Sequence, residues 1–336
     1  MPAVVFGAVL AAGLACGPFP SPSEPTAVGS IIPGTRPLTD DQAYYDSPAW
    51  SPDGRYLAVF RSYRVFGDNV PQSPLPVGPV LIDLVSGAQE ALASLPSLAE
   101  SGAPGPVLWR PGGEGIAFVS FDLSGGEDSP TLVTYNLDSG EIAAVDFCQC
   151  GQIGFNAEGT EILVVSPYEE GFELRWFNLA TGATTQELSI VRSQPREHRW
   201  FYPALSPDEH QLLLDDLDGN VFIYEMGSGQ APVPFLSSAA TPAWSPDGSK
   251  IVYAALPASG DTYSGQLMIA DADGSSPEPL FPDPQPLGML FPSWSPDGTQ
   301  IAFLYGTEHS NRVLVAEVPE RLRPGRAAAT PAADTG

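Results

Sequence analysis

Short apolar runs alternate with clusters of turn residues along most of this chain. After Trp50 the chain passes through a turn and enters the run Tyr56–Phe60, which is rich in aromatic and β-branched residues. Further along, apolar runs are paired across turns that contain glycine. These pairs predict hairpins at Val80–Ala93, Leu132–Val145, Leu174–Leu188 and Val221–Phe235. The pattern therefore predicts an all-β protein.

One phrase recurs at the start of these units. PAWSPDG occupies Pro48–Gly54 and again Pro242–Gly248, and PSWSPDG occupies Pro292–Gly298. Weaker copies lie at Val107–Ser120, Ile153–Ser166 and Pro203–Asp216. Aligning the six copies on Trp50, Trp109, Phe155, Leu205, Trp244 and Trp294 gives separations of 59, 46, 50, 39 and 50 residues. Repeats of about 40–50 residues rich in short strands predict a propeller, with one four-stranded antiparallel blade per repeat. We therefore expect six blades.

The chemistry of the phrase explains its recurrence. Pro52 presets φ for a type I turn, Asp53 suits the next position, and Gly54 can take the left-handed conformation that closes a hairpin with a bulge. We expect Trp50 and its equivalents to fill the wedge between neighbouring blades. Glu209 stands where glycine is expected, so we expect that hairpin to use a different turn.

The ends of the repeat region predict how the ring closes. After Arg312–Val318 the sixth unit lacks a fourth strand, whereas Ser30–Leu38 precedes the first phrase without a partner. We expect this N-terminal segment to supply the outer strand of the last blade, because a closed ring leaves no unpaired sheet edge. Residues 30–319 would then form the propeller, and residues 320–336 a disordered tail.

The N-terminus has the pattern of an export signal. Val4–Ala15 is an apolar run too short to span a bilayer, and it ends at Cys16 after small residues. This resembles a bacterial lipobox, in which the cysteine is lipidated; an ordinary secretory peptide cleaved nearby is the alternative. We expect residues 1–16 to be the signal and the Pro- and Ser-rich residues 17–29 to be a tether. The protein would be exported, periplasmic or on the cell surface, and held at the membrane through Cys16 if lipidated.

Composition excludes some partners. The net charge is −26, and Lys250 is the only lysine, so a nucleic-acid partner is not expected. With 37 prolines and 34 glycines, turns are dense and long helices are not expected.

Catalytic patterns are weak. A serine–histidine–aspartate triad needs a histidine beside the serine, and the chain has only His198, His210 and His309. In the expected topology the first and last of these lie on one face and His210 on the other. No G-x-S-x-G turn is present. We therefore expect no catalytic residues and no cofactor.

Metal-site patterns are also incomplete. The pair Cys148 and Cys150 has no further cysteine or histidine nearby. Asp216-x-Asp218-Gly and Asp271-x-Asp273-Gly carry half of a calcium loop and equally suit hairpin turns. We expect no metal site.

Aromatic and arginine side chains concentrate in the connections of one face, those between blades and between the second and third strands. Exposed together on an acidic protein, such residues are typical of a recognition surface. They occur in Asp40–Ser47, Arg61–Pro79 and Val191–Tyr202. The alternative is that the aromatic side chains pack between blades. The candidate binding residues are Tyr44, Tyr45, Arg61, Tyr63, Arg64, Arg196, His198, Arg199 and Trp200.

The WSPDG phrase followed by an alternating strand resembles the TolB-like, or WD-like, β-propeller repeat. The resemblance covers Ser30–Pro319, and we expect a propeller without a separate α/β domain. It implies a module that binds an envelope protein. We expect this module to be non-catalytic and monomeric, and to meet the membrane only through a lipid anchor. A glycan or small-molecule receptor using the same face is one alternative. A metal-dependent polysaccharide lyase or hydrolase is another, because the fold does not fix the function.

Overall fold

The computed structural model describes residues 32–39, 44–62, 78–92, 107–122, 129–146, 151–168, 171–191, 200–216, 219–257, 265–285, 287–307 and 311–325. From Pro33 onward these residues belong to one compact unit. The predicted signal, tether and lipidation site at Cys16 lie outside the described residues, as do Cys148 and Cys150. In the described residues no helix is both long and apolar enough to cross a membrane.

Strands make up nearly all of the regular structure. In chain order they are β1 Thr35–Pro37, β2 Tyr44–Trp50, β3 Tyr56–Ser62, β4 Gly78–Asp83, β5 Gln89–Ala91, β6 Leu108–Trp109, β7 Gly115–Asp122, β8 Ser129–Asn136, β9 Ile142–Asp146, β10 Gly151–Phe155, β11 Glu161–Tyr168 and β12 Gly171–Asn178. The second half contains β13 Thr184–Val191, β14 Trp200–Leu205, β15 Gln211–Asp216, β16 Asn220–Glu225, β17 Val233–Ser237, β18 Ala239–Trp244, β19 Lys250–Ala255, β20 Gln266–Asp271, β21 Glu278–Pro279, β22 Gly288–Trp294, β23 Gln300–Gly306 and β24 Asn311–Glu317.

The strands form six four-stranded antiparallel sheets, which confirms the predicted six-bladed propeller. Blades 1 to 5 are β2–β5, β6–β9, β10–β13, β14–β17 and β18–β21, and blade 6 is β22, β23, β24 and β1. Within each blade the four strands are called a, b, c and d in the order just given, so strand a is the inner strand and strand d the outer one. The three weaker copies of the phrase are strands a and b of blades 2, 3 and 4, as predicted.

The N-terminal segment closes the ring. Strand β1 pairs antiparallel with β24, with Thr35 opposite Ala316 and Pro37 opposite Leu314. The backbone N–H of Leu38 donates to Val313 at 2.9 Å and continues the pairing. The prediction that this segment supplies the outer strand of blade 6 is confirmed. The edge of β24 is thereby covered, which removes an exposed template for strand addition.

The core lies between adjacent blades. The cluster between blades 6 and 1, for example, combines Tyr45 and Val59 with Leu304 and Val313, all fully or almost fully buried. Comparable clusters join blades 1 and 2, 2 and 3, 3 and 4, and 4 and 5. Each of blades 1 to 4 therefore buries both of its faces against neighbours.

Tryptophans of the repeated phrase join the blades by hydrogen bonds. The indole N–H of Trp50 donates to the Ser293 carbonyl at 3.0 Å, and that of Trp109 donates to Ala49 at 2.9 Å. Trp244 and Trp294 make the same bond to strand a of the preceding blade, to Ala204 and Ala243 at 3.1 and 3.3 Å. The predicted packing of these rings between blades is confirmed. Phe155 and Leu205 replace tryptophan in blades 3 and 4, and neither side chain can donate such a bond.

The SPDG turn is built from side-chain hydrogen bonds. In blade 1 the Ser51 hydroxyl donates to Asp53 at 2.6 Å and accepts the Tyr56 backbone N–H at 2.8 Å. Gly54 has φ of 72°, and its N–H donates to the Ser51 carbonyl at 2.9 Å, as the left-handed closing position requires. Ser206, Ser245 and Ser295 repeat the serine's two bonds in blades 4, 5 and 6.

The expectation of a different turn at Glu209 is wrong. Glu209 has φ of 61°, and its N–H donates to the Ser206 carbonyl at 2.9 Å, the same bond that glycine makes elsewhere. The Glu209 carboxylate also accepts the Ala157 backbone N–H of blade 3 at 2.7 Å. This bond between turns offsets the cost of the left-handed backbone.

The first part of the predicted tail is folded. Glu320–Leu322 forms a 3₁₀ turn in which Leu322 is buried. A Cβ placed on Gly298 would clash with Pro324, so that proline sits directly against the a–b turn of blade 6. Residues 320–325 thus differ from the expected disorder, and residues 326–336 lie outside the described part.

Candidate functional site

A channel runs along the inner strands of the six blades. It has a volume of about 440 Å³, and strand a of every blade contributes to its wall. Most of the wall is proline, alanine and other uncharged residues. Among the lining residues are Pro48, Ala49, Val107, Leu108, Gly154, Phe155, Pro203, Ala204, Pro242, Ala243, Pro292 and Ser293.

Bulges place the prolines in this wall. Ser47, Thr241 and Phe291 each precede a proline and have φ of 34°, 49° and 53°. The pairing of strand a with strand b shifts register at each of these positions. A bulge bends the strand and redirects the following side chains, so the prolines and small residues line the channel.

Charged side chains are rare in the channel. Glu209, in the a–b turn of blade 4, is the single titratable residue among the described residues that line it. Its carboxylate is engaged by the Ala157 N–H. Gly154 leaves open space, because a Cβ built there meets no heavy atom within 4 Å. A ligand in the channel would therefore be held mainly by shape complementarity and apolar contact.

Three of the predicted recognition residues are not exposed. Tyr44 and Arg61 are 9% and 5% exposed, and Tyr45 is fully buried. The side-chain amide of Asn311, in blade 6, binds the backbone of Tyr45. It accepts a hydrogen bond from the Tyr45 N–H and donates one to the Tyr45 carbonyl, both at 2.8 Å. The segment Asp40–Ser47 was expected to be a connection, but β2 already begins at Tyr44. The expectation of exposed side chains is therefore wrong for these three residues.

The remaining predicted residues are not tested. Trp200 is the first residue of β14, and its backbone pairs with Asp216. Tyr63, Arg64, Arg196, His198 and Arg199 lie outside the described residues. Their role in binding stays a prediction.

The aspartates of the SPDG turns accept hydrogen bonds that stabilise these turns. The Ser51 hydroxyl lowers the pKa of the Asp53 carboxyl, and Ser206 does the same for the pKa of Asp208. For Asp247 burial raises the pKa, but hydrogen bonds from Ser249 and Ser245 outweigh it and lower the pKa overall. These carboxylates are ionised and close hairpins, which leaves them little freedom to act as bases.

The aspartates of the two incomplete calcium-loop patterns bind other groups of the protein. Asp216 accepts the Asn220 backbone N–H at 2.8 Å, and Asp271 forms an ion pair with Lys250 at 2.5 Å. Among the residues that the structure describes, no three His, Cys, Asp or Glu side chains are placed to hold a metal ion. His210 follows an a–b turn, as expected, and its side chain is 79% exposed. His198 and His309 lie outside the described residues.

No model of a known protein family matches the sequence. No curated protein matches it either. Solved structures do resemble the chain. TolB from Acinetobacter baumannii has a TM-score of 0.57 and 17% identity, over 77% of this chain and 59% of that protein. The chain thus spans less than two thirds of that TolB. A putative TolB from Agrobacterium tumefaciens has a TM-score of 0.55 and 19% identity, over 84% of this chain and 94% of that protein.

An enzyme shares the fold as well. An oligogalacturonate lyase in complex with manganese has a TM-score of 0.52 and 14% identity, over 86% of this chain and 94% of that protein. At such identities the likeness shows the fold, so the predicted TolB-like propeller is confirmed at that level. Because TolB proteins and a lyase both have this fold, it does not decide whether the chain is an enzyme.

Proposed function

We propose that the protein is a non-catalytic propeller that binds another protein of the cell envelope. The observation that carries this proposal is the channel, whose described wall is uncharged except for Glu209. Catalysis would need a convergent nucleophile, base or metal ligand, whereas a wall of proline, alanine and aromatic residues favours apolar contact. An apolar segment of a partner polypeptide fits such a wall. The resemblance of the WSPDG repeat to TolB-like propellers supports a partner in the envelope.

We include in the proposed site the connections between blades, which lead into strand a at the end opposite the a–b turns; this end is called the channel mouth. Between β13 and β14 the chain carries Arg196, His198 and Arg199 and continues into Trp200. Arginine and tryptophan are enriched among residues that dominate binding energy. We place recognition on this face, to which the connection between β3 and β4 would add Tyr63 and Arg64.

Export is part of the same proposal. The apolar run Val4–Ala15 and the following Cys16 support secretion with lipidation, and residues 17–29 would tether the propeller. The protein would act as a monomer at the periplasmic or outer surface of a membrane.

A metal-dependent polysaccharide lyase is the second candidate, because a manganese-bound oligogalacturonate lyase shares the fold. The described residues supply no cluster of metal ligands that fits it. Purified protein incubated with manganese and polygalacturonate tests this directly. Release of unsaturated uronides, followed by absorbance, would establish the lyase and overturn the non-catalytic proposal.

Capture of partners from the native envelope fraction tests the proposed function. One variant combines Arg199→Ala and Trp200→Ala at the channel mouth. A second, Gly154→Phe, fills the channel at a position where an added side chain meets open space. Ala143→Phe, on an exposed position of outer strand β9, is the matched control for adding a phenylalanine.

We expect one protein to be retained by the wild type and by Ala143→Phe, and to be lost with the mouth and channel variants. Retention of the same protein by all four would show that this face and channel are not the site. If the wild type retains no protein, the envelope-partner proposal fails, and glycan arrays become the test of the receptor alternative.

A further inference from the structure

A groove separates blades 1 and 2 near the a–b and c–d turns. It has a volume of about 630 Å³, which lies within the range of small-molecule sites. Its floor is apolar and is formed by Leu81, Leu92 and Leu137. The first two leucines are 8% and 7% exposed, so the floor is part of the core between these blades. The groove lies beside the a–b turns, whereas the connections between blades that are proposed for recognition lead into the other end of strand a.

Three aromatic rings line the groove. They are Tyr56 after the turn of blade 1, Trp109 in β6 and Tyr135 in β8. All three are partly exposed. The Trp109 indole N–H is already donated to Ala49, so the groove meets its ring rather than its polar atom. Aromatic faces attract cations held within about 6 Å of the ring centroid.

One of these rings already binds a cation. The guanidinium carbon of Arg55 lies 4.9 Å from the centroid of Tyr56, and Arg55 also pairs with Asp83 at 3.1 Å. This contact occupies one face of Tyr56, so Trp109 and Tyr135 are the rings left for a ligand cation. Trp109 and Tyr135 have no such neighbour among the described residues.

Carboxylates from three elements surround the same groove. Asp53 comes from the a–b turn of blade 1, Glu90 from outer strand β5, and Asp138 from the c–d turn of blade 2. Asp53 closes its own turn. Within the described part of the chain, Glu90 and Asp138 form no salt bridge. The rim therefore presents negative charge above aromatic rings and an apolar floor.

We propose that this groove binds a linear polyamine, an alkyl chain that carries two or more ammonium groups. Ammonium groups are complementary to Glu90 and Asp138 and to the faces of Trp109 and Tyr135. The methylene segments between them match the leucine floor. Carboxylates at separate places on the rim favour a chain with spaced charges over a single compact cation. The negative rim excludes anionic ligands.

Isothermal titration with spermidine tests the inference. The double variant Glu90→Gln/Asp138→Asn removes the two rim charges while conserving side-chain shape. The double variant Glu158→Gln/Asp283→Asn removes the same charge at exposed positions outside the groove, and so controls for the field of a chain with net charge −26. Thermal unfolding of all variants shows whether each is folded.

We expect spermidine to bind the wild type and the control variant with the same affinity within about twofold, and the rim variant about tenfold or more weakly. Tyr135→Leu should weaken binding while the fold persists, because it removes a ring face. Equal weakening by both charge variants would show a diffuse field and overturn the site. Absence of spermidine binding to the wild type would also overturn it.

A lysine-rich peptide serves as the competing ligand. If the peptide binds the groove more tightly than spermidine and loses affinity in the rim variant, the groove is a protein-docking surface, and the polyamine proposal is wrong. The capture variants change Gly154, Arg199 and Trp200, none of which is among the described residues that line the groove, so the two proposals fail independently.

Discussion

At the scale of single residues, the repeated tryptophan both fills the space between two blades and joins them by a hydrogen bond. Trp50, Trp109, Trp244 and Trp294 each donate to the carbonyl that precedes the equivalent position in the neighbouring blade. The acceptors are main-chain carbonyls of half-buried residues that line the channel, so removing the donor loses the net free energy of one hydrogen bond. This explains why the phrase keeps tryptophan rather than another large apolar residue.

Trp244→Phe tests this account. The change removes the indole N–H and leaves the Ala204 carbonyl without that donor. Trp176→Phe removes the same volume from a ring that is 8% exposed and has no indole hydrogen bond among the described residues. We expect Trp244→Phe to lower the free energy of unfolding by about 1–2 kcal/mol more than Trp176→Phe. Urea denaturation measures both, and equal losses would contradict the role of the bond.

At the scale of the element, the outer hairpins use a second turn with its own pattern. Asp83 accepts the backbone N–H groups of Val85 and Ser86, both at 2.9 Å. Asn136 and Asn178 do the same in blades 2 and 3. The sequence signal is an Asp or Asn followed by leucine, any residue, Ser or Thr, and glycine. Sequence reasoning found the glycine but missed the side chain that closes the turn.

Acid should weaken the c–d turn of blade 1, which Asp83 closes. The Ser86 backbone N–H, aided by that of Val85 and by Arg55, lowers the pKa of Asp83 from 3.8 to about 2 against an opposing effect of desolvation. Because folding lowers this pKa, the stabilisation is complete above about pH 4 and is lost as the pH falls toward about 2.

Exchanging the two turn residues isolates this effect. Asp83→Asn keeps an acceptor that works in blades 2 and 3, so we expect the fall in melting temperature between about pH 4 and pH 2 to become shallower. The reverse change, Asn178→Asp, should make it steeper. Melting curves across this range measure both. Parallel acid profiles for the wild type and the two variants would contradict this origin of the acid sensitivity.

At the scale of the whole molecule, sequence reasoning reached the architecture because the phrase recurs in register with the blades. Closure by β1 followed from a missing strand at one end and an unpaired segment at the other. The exposure of side chains at the candidate site could not be predicted in this way. Tyr44 and Tyr45 lie on a strand whose register buries them, and Asn311, 266 residues from Tyr45, completes that junction. Partners so far apart leave no pattern in the local sequence from which their contact could be predicted. The left-handed backbone of Glu209 leaves no such pattern either.

In the proposed function the propeller binds a partner through its channel and the mouth of that channel. A photoreactive benzoylphenylalanine at position 155, where Phe155 already lines the wall, or at position 143, on outer strand β9, tests this proposal in cells of the native host. We expect an adduct of one partner protein after illumination at position 155 and none at position 143. Adducts at position 143 alone, or at both positions with equal yield, would contradict it.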